Sequence, residues 1–312
     1  MNAQYVNLDS VETGIFNREL KHVKTKSYDV LKKPLAAFTL FPVSNEVNAG
    51  AETITYEQYE SIGIAKIISD YAQDLPRCDI KGREFTSRVK SVGNSYGYSR
   101  QDIRAFQLAG KPFQQRKANS AVEAQMRTWN SIAFNGDTEH NLQGLFTNAN
   151  IPTVSLPADG NSNGGTNSTK LEHKTPQQMV RDLNTIANSI FNATGGVERP
   201  DTLVVTPDVY SLIHSTPRSD NSDTTVAEYF LRNNPFINNI QFAIEFEGAG
   251  TGGADVTMAY ERSPDKLTLE MPMMFTQGMP QEKGLTYEIP CESRIGGLII
   301  YYPLSIAICE DA

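Results

Sequence analysis

The sequence predicts an α+β fold, and three observations predict it. A long helical pattern occupies the middle of the chain, "SYGYSRQDIRAFQLAGKPFQQRKANSAVEAQMRTWNSIAFNGD" at residues 95–137. A polar, strand-patterned stretch precedes it, and capped helices alternating with short apolar strands follow it. The 312 residues suffice for one large domain or two ordinary ones, and a hydrophobic content of 39% leaves much surface in loops and extended parts.

Taken in order, "VETGIFNRELKHVKTKSYDV" places Val11, Phe16, Leu20 and Val23 at helical spacing. The next stretch, "LKKPLAAFTLFPVSNEVNAG", is interrupted by Pro34 and Pro42 and is predicted to be extended. Residues 1–48 therefore read as an arm lying on something else. In "AETITYEQYESIGIAKIISD", Ile54, Tyr56 and Gln58 alternate with Thr55, Glu57 and Tyr59 at the period of a strand. A second strand pattern, "REFTSRVKSVG" from Arg83, follows the turn-rich "YAQDLPRCDIKG", so residues 49–98 predict a long hairpin or an extended loop with two strand legs. Both of its faces mix polar with apolar residues, and a two-stranded hairpin is marginal alone in water. Something must cover it.

Ser99 and Asp102 have the spacing of a capping box, which opens a helix over 99–109. Gly110 and Pro112 break the pattern, and a second helix runs from Pro112 to about Phe134. At ~1.5 Å per residue it spans roughly 35 Å. Ala118, Ala121, Val122, Met126, Trp129, Ile132 and Ala133 form its apolar stripe, with Trp129 as a core anchor, while Gln114, Gln115, Arg116 and Lys117 lie off it. Gly136 stops the helix, and "VSLPADGNSNGGTNSTKLEHK" is a polar surface loop in which the sequon at Asn167 is a chance match.

The remainder predicts an α/β unit. Thr175 caps a helix with Pro176 at its first position, and Met179, Val180, Leu183, Ile186, Ala187 and Ile190 form its apolar face. "DTLVVT" is a buried strand, "PDVYSLIHS" and "TTVAEYFLRNN" are helices, and "INNIQFAIEF", "VTMAYE" and "KLTLEMP" are further strands. The tail "LTYEIPCESRIGGLIIYYPLSIAICE" is β-rich and apolar enough to close back on earlier parts.

The histidines, the glycine-rich turn and the cysteines carry no catalytic signature. His22, His140, His173 and His214 form no metal-ligand pair at helical spacing and no known zinc motif. "EGAGTGGAD" lies between two strands, so it reads as a turn and not as a phosphate loop, which must lead into a helix. The surroundings of Cys78 and Cys291 fit no cysteine nucleophile. Glu57, Glu60, Asp70 and Asp74 read as solvated carboxylates or intersubunit charge partners. No catalytic, cofactor-binding or metal residue is predicted, and no cofactor.

Lys and Arg number 28 against 36 Asp and Glu, a net charge of −8, which disfavours a broad phosphate-gripping face. The sparse cysteines Cys78, Cys291 and Cys309 fit a reducing compartment. The N-terminus has no apolar h-region and no stretch approaches 18 apolar residues, so a soluble, cytoplasmically made chain without membrane contact is expected.

This order of parts, with "FNRELKHVKTKSYDV", "LFPVSNEVNAGAETITYEQYESIGIAKIISDYAQDLPRCDI", "FNGDTEHNLQGLFTN" and "RPDTLVVTPDVYSLI", resembles the tailed-bacteriophage major capsid protein, the Hong Kong 97-like fold shared with encapsulin shells. The resemblance covers nearly the whole chain and rests on order and texture more than on any invariant motif. It implies an N-terminal arm (1–48), an extended β-hairpin loop (49–98), and a peripheral domain whose long helix is the spine (99–174). An axial α/β domain (175–272) and C-terminal strands returning to the peripheral domain (273–312) would complete it. It further implies a non-enzymatic subunit that self-assembles through pentamers and hexamers into an icosahedral head shell, or procapsid, around double-stranded DNA touched non-specifically. A portal and a separate scaffolding protein are the expected partners, the scaffold because the arm begins within the first dozen residues. Assembly would occur in the host bacterial cytoplasm. Two alternatives stand beside it: an encapsulin-like compartment, and an α/β ligand-binding or enzyme domain over 175–312 with an accessory β arm.

Overall fold

The computed structural model describes residues 32–68, 75–109, 113–219 and 221–310. Contacts divide the chain into two units, Met1–Pro34 and Leu35–Ala312. The helical spacing at 11–23, the hairpin tip at 69–74 and the predicted helix break at 110–112 lie outside the described residues.

The stretch predicted to be extended after Pro34 instead forms one helical turn, α1 (Ala37–Leu40), before the short strand β1 (Val43–Ser44). Ala37 and Leu40 are buried, and the Ala37 N–H donates to Asn130 Oδ1 at 2.9 Å, so tertiary packing overrides the nearby prolines. Phe41, preceding Pro42, then takes the extended conformation that a proline imposes on its predecessor.

Strands β2 (Thr53–Ile62) and β3 (Asp79–Arg88) pair antiparallel over ten residues, from Thr53 opposite Arg88 to Ile62 opposite Asp79. The predicted hairpin over 49–98 is too long, because its ladder stops at Arg88. Val89 is buried and its N–H bonds the Glu52 carbonyl at 2.9 Å, which closes the hairpin base. Strand β4 (Lys90–Ser99) then turns alternate residues inward and takes a different partner, described below. At its end the capping box is present: the Asp102 N–H donates to Ser99 Oγ (2.9 Å) and the Ser99 N–H to Asp102 Oδ2 (3.1 Å). These bonds hold the Asp102 carboxyl below its ordinary range and start α2 (Arg100–Ala109).

The long helix α3 (Phe113–Asn135) buries Ala121, Trp129, Ile132 and Ala133. Met126 leaves the predicted stripe at 37% exposure, and Gln125 is buried beside it, its Nε2 donating to Asn94 Oδ1 at 3.0 Å. Gly136 ends the helix at φ +67, where a Cβ would stand 2.5 Å from the Leu142 carbonyl.

Beyond it come β5 (Thr153–Val154), α4 (Pro176–Ala193), β6 (Thr202–Val205), α5 (Pro207–Ser215), α6 (Val226–Asn233), β7 (Asn239–Phe242), β8 (Val256–Tyr260) and β9 (Leu267–Glu270). The chain continues through β10 (Met273–Gln277), β11 (Gln281–Lys283), β12 (Thr286–Ile295), β13 (Gly297–Ile300) and β14 (Ile306–Glu310). Thr175, Thr206 and Thr225 each accept a backbone N–H at the start of α4, α5 and α6, and Gln178 completes a capping box at the first.

Four sheets result. One has the order β5-β14-β8-β6-β7, a second β1-β9-β13, a third β10-β12-β11 with β4 also on β12, and the hairpin β2-β3 is the fourth. The sheets do not respect the expected boundaries at 174 and 272. Strand β14, expected to return to the peripheral part, runs antiparallel to β8 inside the five-stranded sheet, β5 joins that sheet from the 99–174 segment, and β9 leaves it for β1 and β13.

The reason is burial on both faces. Ile306 and Ile308 enter a core with Trp129, Phe134, Met258 and Tyr260, while Ala307 and Cys309 enter another with Leu183, Ile186, Leu203 and Phe230. The five-stranded sheet is thus the common wall of two cores, and the apolar run Ile306–Cys309 of β14 faces both of them.

Candidate assembly surfaces

The residues that could have carried catalysis are dispersed. His140 Nδ1 lies 2.7 Å from Asp137 Oδ2 in an exposed turn, His214 Nδ1 bonds the Tyr210 carbonyl at 2.8 Å, and His173 meets Glu172 at 3.2 Å; His22 lies outside the described residues. No group of three potential metal ligands occurs among the described residues. Cys78 is exposed, while Cys291 and Cys309 are buried, none of the three forms a disulfide among the described residues, and burial pushes the Cys291 thiol up and away from thiolate chemistry. Among the described residues no helix is long and apolar enough to cross a membrane.

One charged cluster is structural, and nothing in the sequence singled it out. Lys174, fully buried, pairs with the buried Asp182 of α4 and donates to the Pro157 carbonyl at 3.0 Å. Arg181 forks onto Asp159 at 2.6 and 3.0 Å and reaches Asp182 at 2.8 Å. The Arg181 bonds hold the Asp159 carboxyl below its ordinary range, against burial, and the network pins the polar loop 157–174 to α4.

The ten-residue ladder of β4 on β12 runs from Ser99 opposite Thr286 to Lys90 opposite Ile295 and lies against α3. Trp129 Nε1 donates to Ser293 Oγ at 3.1 Å, so the sole tryptophan ties the helix to this sheet as well as filling the core. Asn94 Nδ2 adds a bond to the Ala121 carbonyl at 2.8 Å. The long helix is a girder, and this sheet is what it carries.

The hairpin has its own anchorage. Tyr56 stacks on Phe85 across the ladder and meets Tyr301 edge-on at 4.9 Å, Gln58 donates to the Tyr301 carbonyl, and Ser87 Oγ donates to the Gly296 carbonyl at 3.1 Å. The Ile54 side chain packs closely there, its Cδ1 2.6 Å from where a Cβ on Gly296 would stand. Those contacts hold only the base. Further out, Tyr59, Ile64, Ile67, Leu75 and Ile80 are between 60% and 101% exposed. Exposed apolar groups in sequence clusters mark contact surfaces more than stray positions do. A smaller apolar set, Leu108, Met279 and Leu285, is exposed on α2 and in the loops flanking β11.

A family model described as major capsid protein matches residues 63–310, while no curated protein matches the chain. Among solved structures, the capsid of Myoviridae phage XM1 is similar over 96% of this chain and 99% of its own, with a TM-score of 0.79 at 15% identity. Mycobacterium phage Bobi is similar over 95% and 98% at TM-score 0.61 and 13% identity. A virus-like particle from Pyrococcus furiosus is similar over 89% and 92% at TM-score 0.51 and 12% identity. With the fold and its uncovered hairpin in view, the chain belongs to the major capsid protein family and carries the Hong Kong 97-like fold of tailed-phage shells.

Proposed function

We propose that copies of this shell subunit associate as pentamers and hexamers and close into an icosahedral phage head around double-stranded DNA. The observation that carries this reading is the contrast within one chain: the unit around α3 and the five-stranded sheet buries its own apolar residues, whereas the hairpin exposes Tyr59, Ile64, Ile67 and Ile80. A surface of that kind gains cover only from another copy, and a heterologous contact repeated around an axis closes a ring.

In this reading residues 1–48 are the arm, β2 and β3 the extended loop, α3 with the β4–β12 sheet the peripheral domain, and the five-stranded sheet with α4, α5 and α6 the axial domain. The subunit is non-enzymatic. A separate scaffolding protein and a portal are its partners in the host bacterial cytoplasm, and the net charge of −8 suits a wall that touches DNA without gripping it.

The test is negative-stain electron microscopy after sedimentation, on the chain expressed alone and with a scaffold candidate. Hollow shells or five- and six-membered rings are expected, and nuclease treatment with gel analysis of the contents distinguishes packaged DNA from protein cargo. Small discrete particles under every condition would overturn the reading.

A further inference from the structure

The outward face of the hairpin carries an arrangement that the isolated subunit does not resolve. Register places Glu57 directly opposite Glu84, both exposed, and like charges directly opposite on neighbouring strands repel. Two residues further along, Tyr59 lies opposite Gly82, with its ring over the glycine where a Cβ would be 3.1 Å from Cε1. Its hydroxyl donates to Glu57. Glu84 has no hydrogen-bond or ion-pair partner among the described residues. The face therefore presents a carboxylate pair next to a flat aromatic ring that is 69% exposed, with Ile80 beyond it at 64%.

That combination is a receptor for a guanidinium followed by an apolar side chain: two carboxylates for the fork, a ring for stacking, and apolar surface alongside. The chain itself supplies such a ridge. On α2, Arg104 is exposed and has no ion-pair partner among the described residues, and Leu108, one turn on, is 92% exposed. Residues four apart on a helix are separated by about 6 Å along its axis. Two residues along a strand advance about 6.8 Å. The two rows match in chemistry and in spacing.

We propose that the Arg104–Leu108 ridge of a second copy docks on the outer face of the β2–β3 hairpin, Arg104 entering between Glu57 and Glu84 and Leu108 packing on Tyr59. This rests on the shell reading above and specifies one of its contacts. The carboxylate pair then has a use: it weakens the free hairpin and is neutralised only in the assembly.

The test is a charge exchange in the full chain, read by shell yield in sedimentation with circular dichroism and thermal unfolding of the subunit as fold controls. Arg104→Glu, and separately Glu57→Lys with Glu84→Lys, should each lower shell yield at least about tenfold, and the combined variant should recover most of it. Neutral Glu57→Gln with Glu84→Gln, which preserves shape, should lower the sensitivity of assembly to added salt. Wild-type yield from both single-sided variants would overturn the pairing while leaving the shell reading intact, as would a loss that the combined variant does not recover. If the wild type itself forms no shells with or without scaffold, the shell reading fails and the pairing fails with it.

Discussion

The five-stranded sheet and the β2–β3 hairpin are built from the same kind of strand, yet they do opposite things. In the sheet, β6 and β8 are buried at every position because a core lies against each face. In the hairpin, every residue from Tyr59 to the end of β2 is exposed, and so is nearly all of β3. The first region holds the subunit together, and the second leaves its surface for something else to complete. The difference teaches that the sheets which bury the cores and the sheet whose apolar groups stand in water are separate, so the second can be altered at little cost to the first.

Substitutions should break that separation in a graded way. Trp129→Ala removes a side chain 2% exposed and its bond to Ser293, and should cost about 3–5 kcal/mol in denaturant unfolding; a cost near zero would contradict its role as the anchor of α3. Asp182→Ala strands the buried Lys174 ammonium and should cost about 3 kcal/mol, whereas replacing both by apolar residues should recover most of that loss. Thr175→Ala, which removes the cap of α4, should cost about 1 kcal/mol by the same measurement.

Acid should act on the same side of the comparison. The Asp159 carboxyl is held low by Arg181, so its contribution is present above the ordinary carboxylate value and is lost as pH falls through the depressed one. Asp159→Asn should therefore flatten the decline of thermal stability below about pH 4. The smallest effect belongs to the hairpin. Tyr59→Ala should change the stability of the isolated subunit by less than about 0.5 kcal/mol, since the ring is already in water, and a larger loss would show that the hairpin contributes to folding.

Local chemistry was the legible part of the sequence. Thr175 before Pro176, Ser99 with Asp102, Gly136 after the long helix and Trp129 on its apolar stripe are decided within a few residues, and each is where its neighbours place it. Strand partners were not legible. The alternation in Lys90–Ser99 suits a continuation of the hairpin as well as a ladder on Thr286–Ile295, and only the tertiary position of α3 distinguishes them. The partner of β14 was not legible for a related reason: the apolar run Ile306–Cys309 says that both faces are covered, not by what. Gln125, Lys174 and Asp182 were invisible because a polar residue reveals its burial only through partners distant in space. At the candidate site, the alternation of Glu57 and Tyr59 was readable, but the facing of Glu57 by Glu84 depends on register and could not be.

The ladder of β4 on β12 also sets a clock. Val92 and Ser293 are 201 residues apart, so β4 waits for its partner throughout the synthesis of everything between them. At ~5–20 residues per second that delay is roughly 10–40 s. Until it ends, β4 has no ladder and α3 has no sheet to carry. The last strands to be made are thus the ones that complete the seat of the long helix.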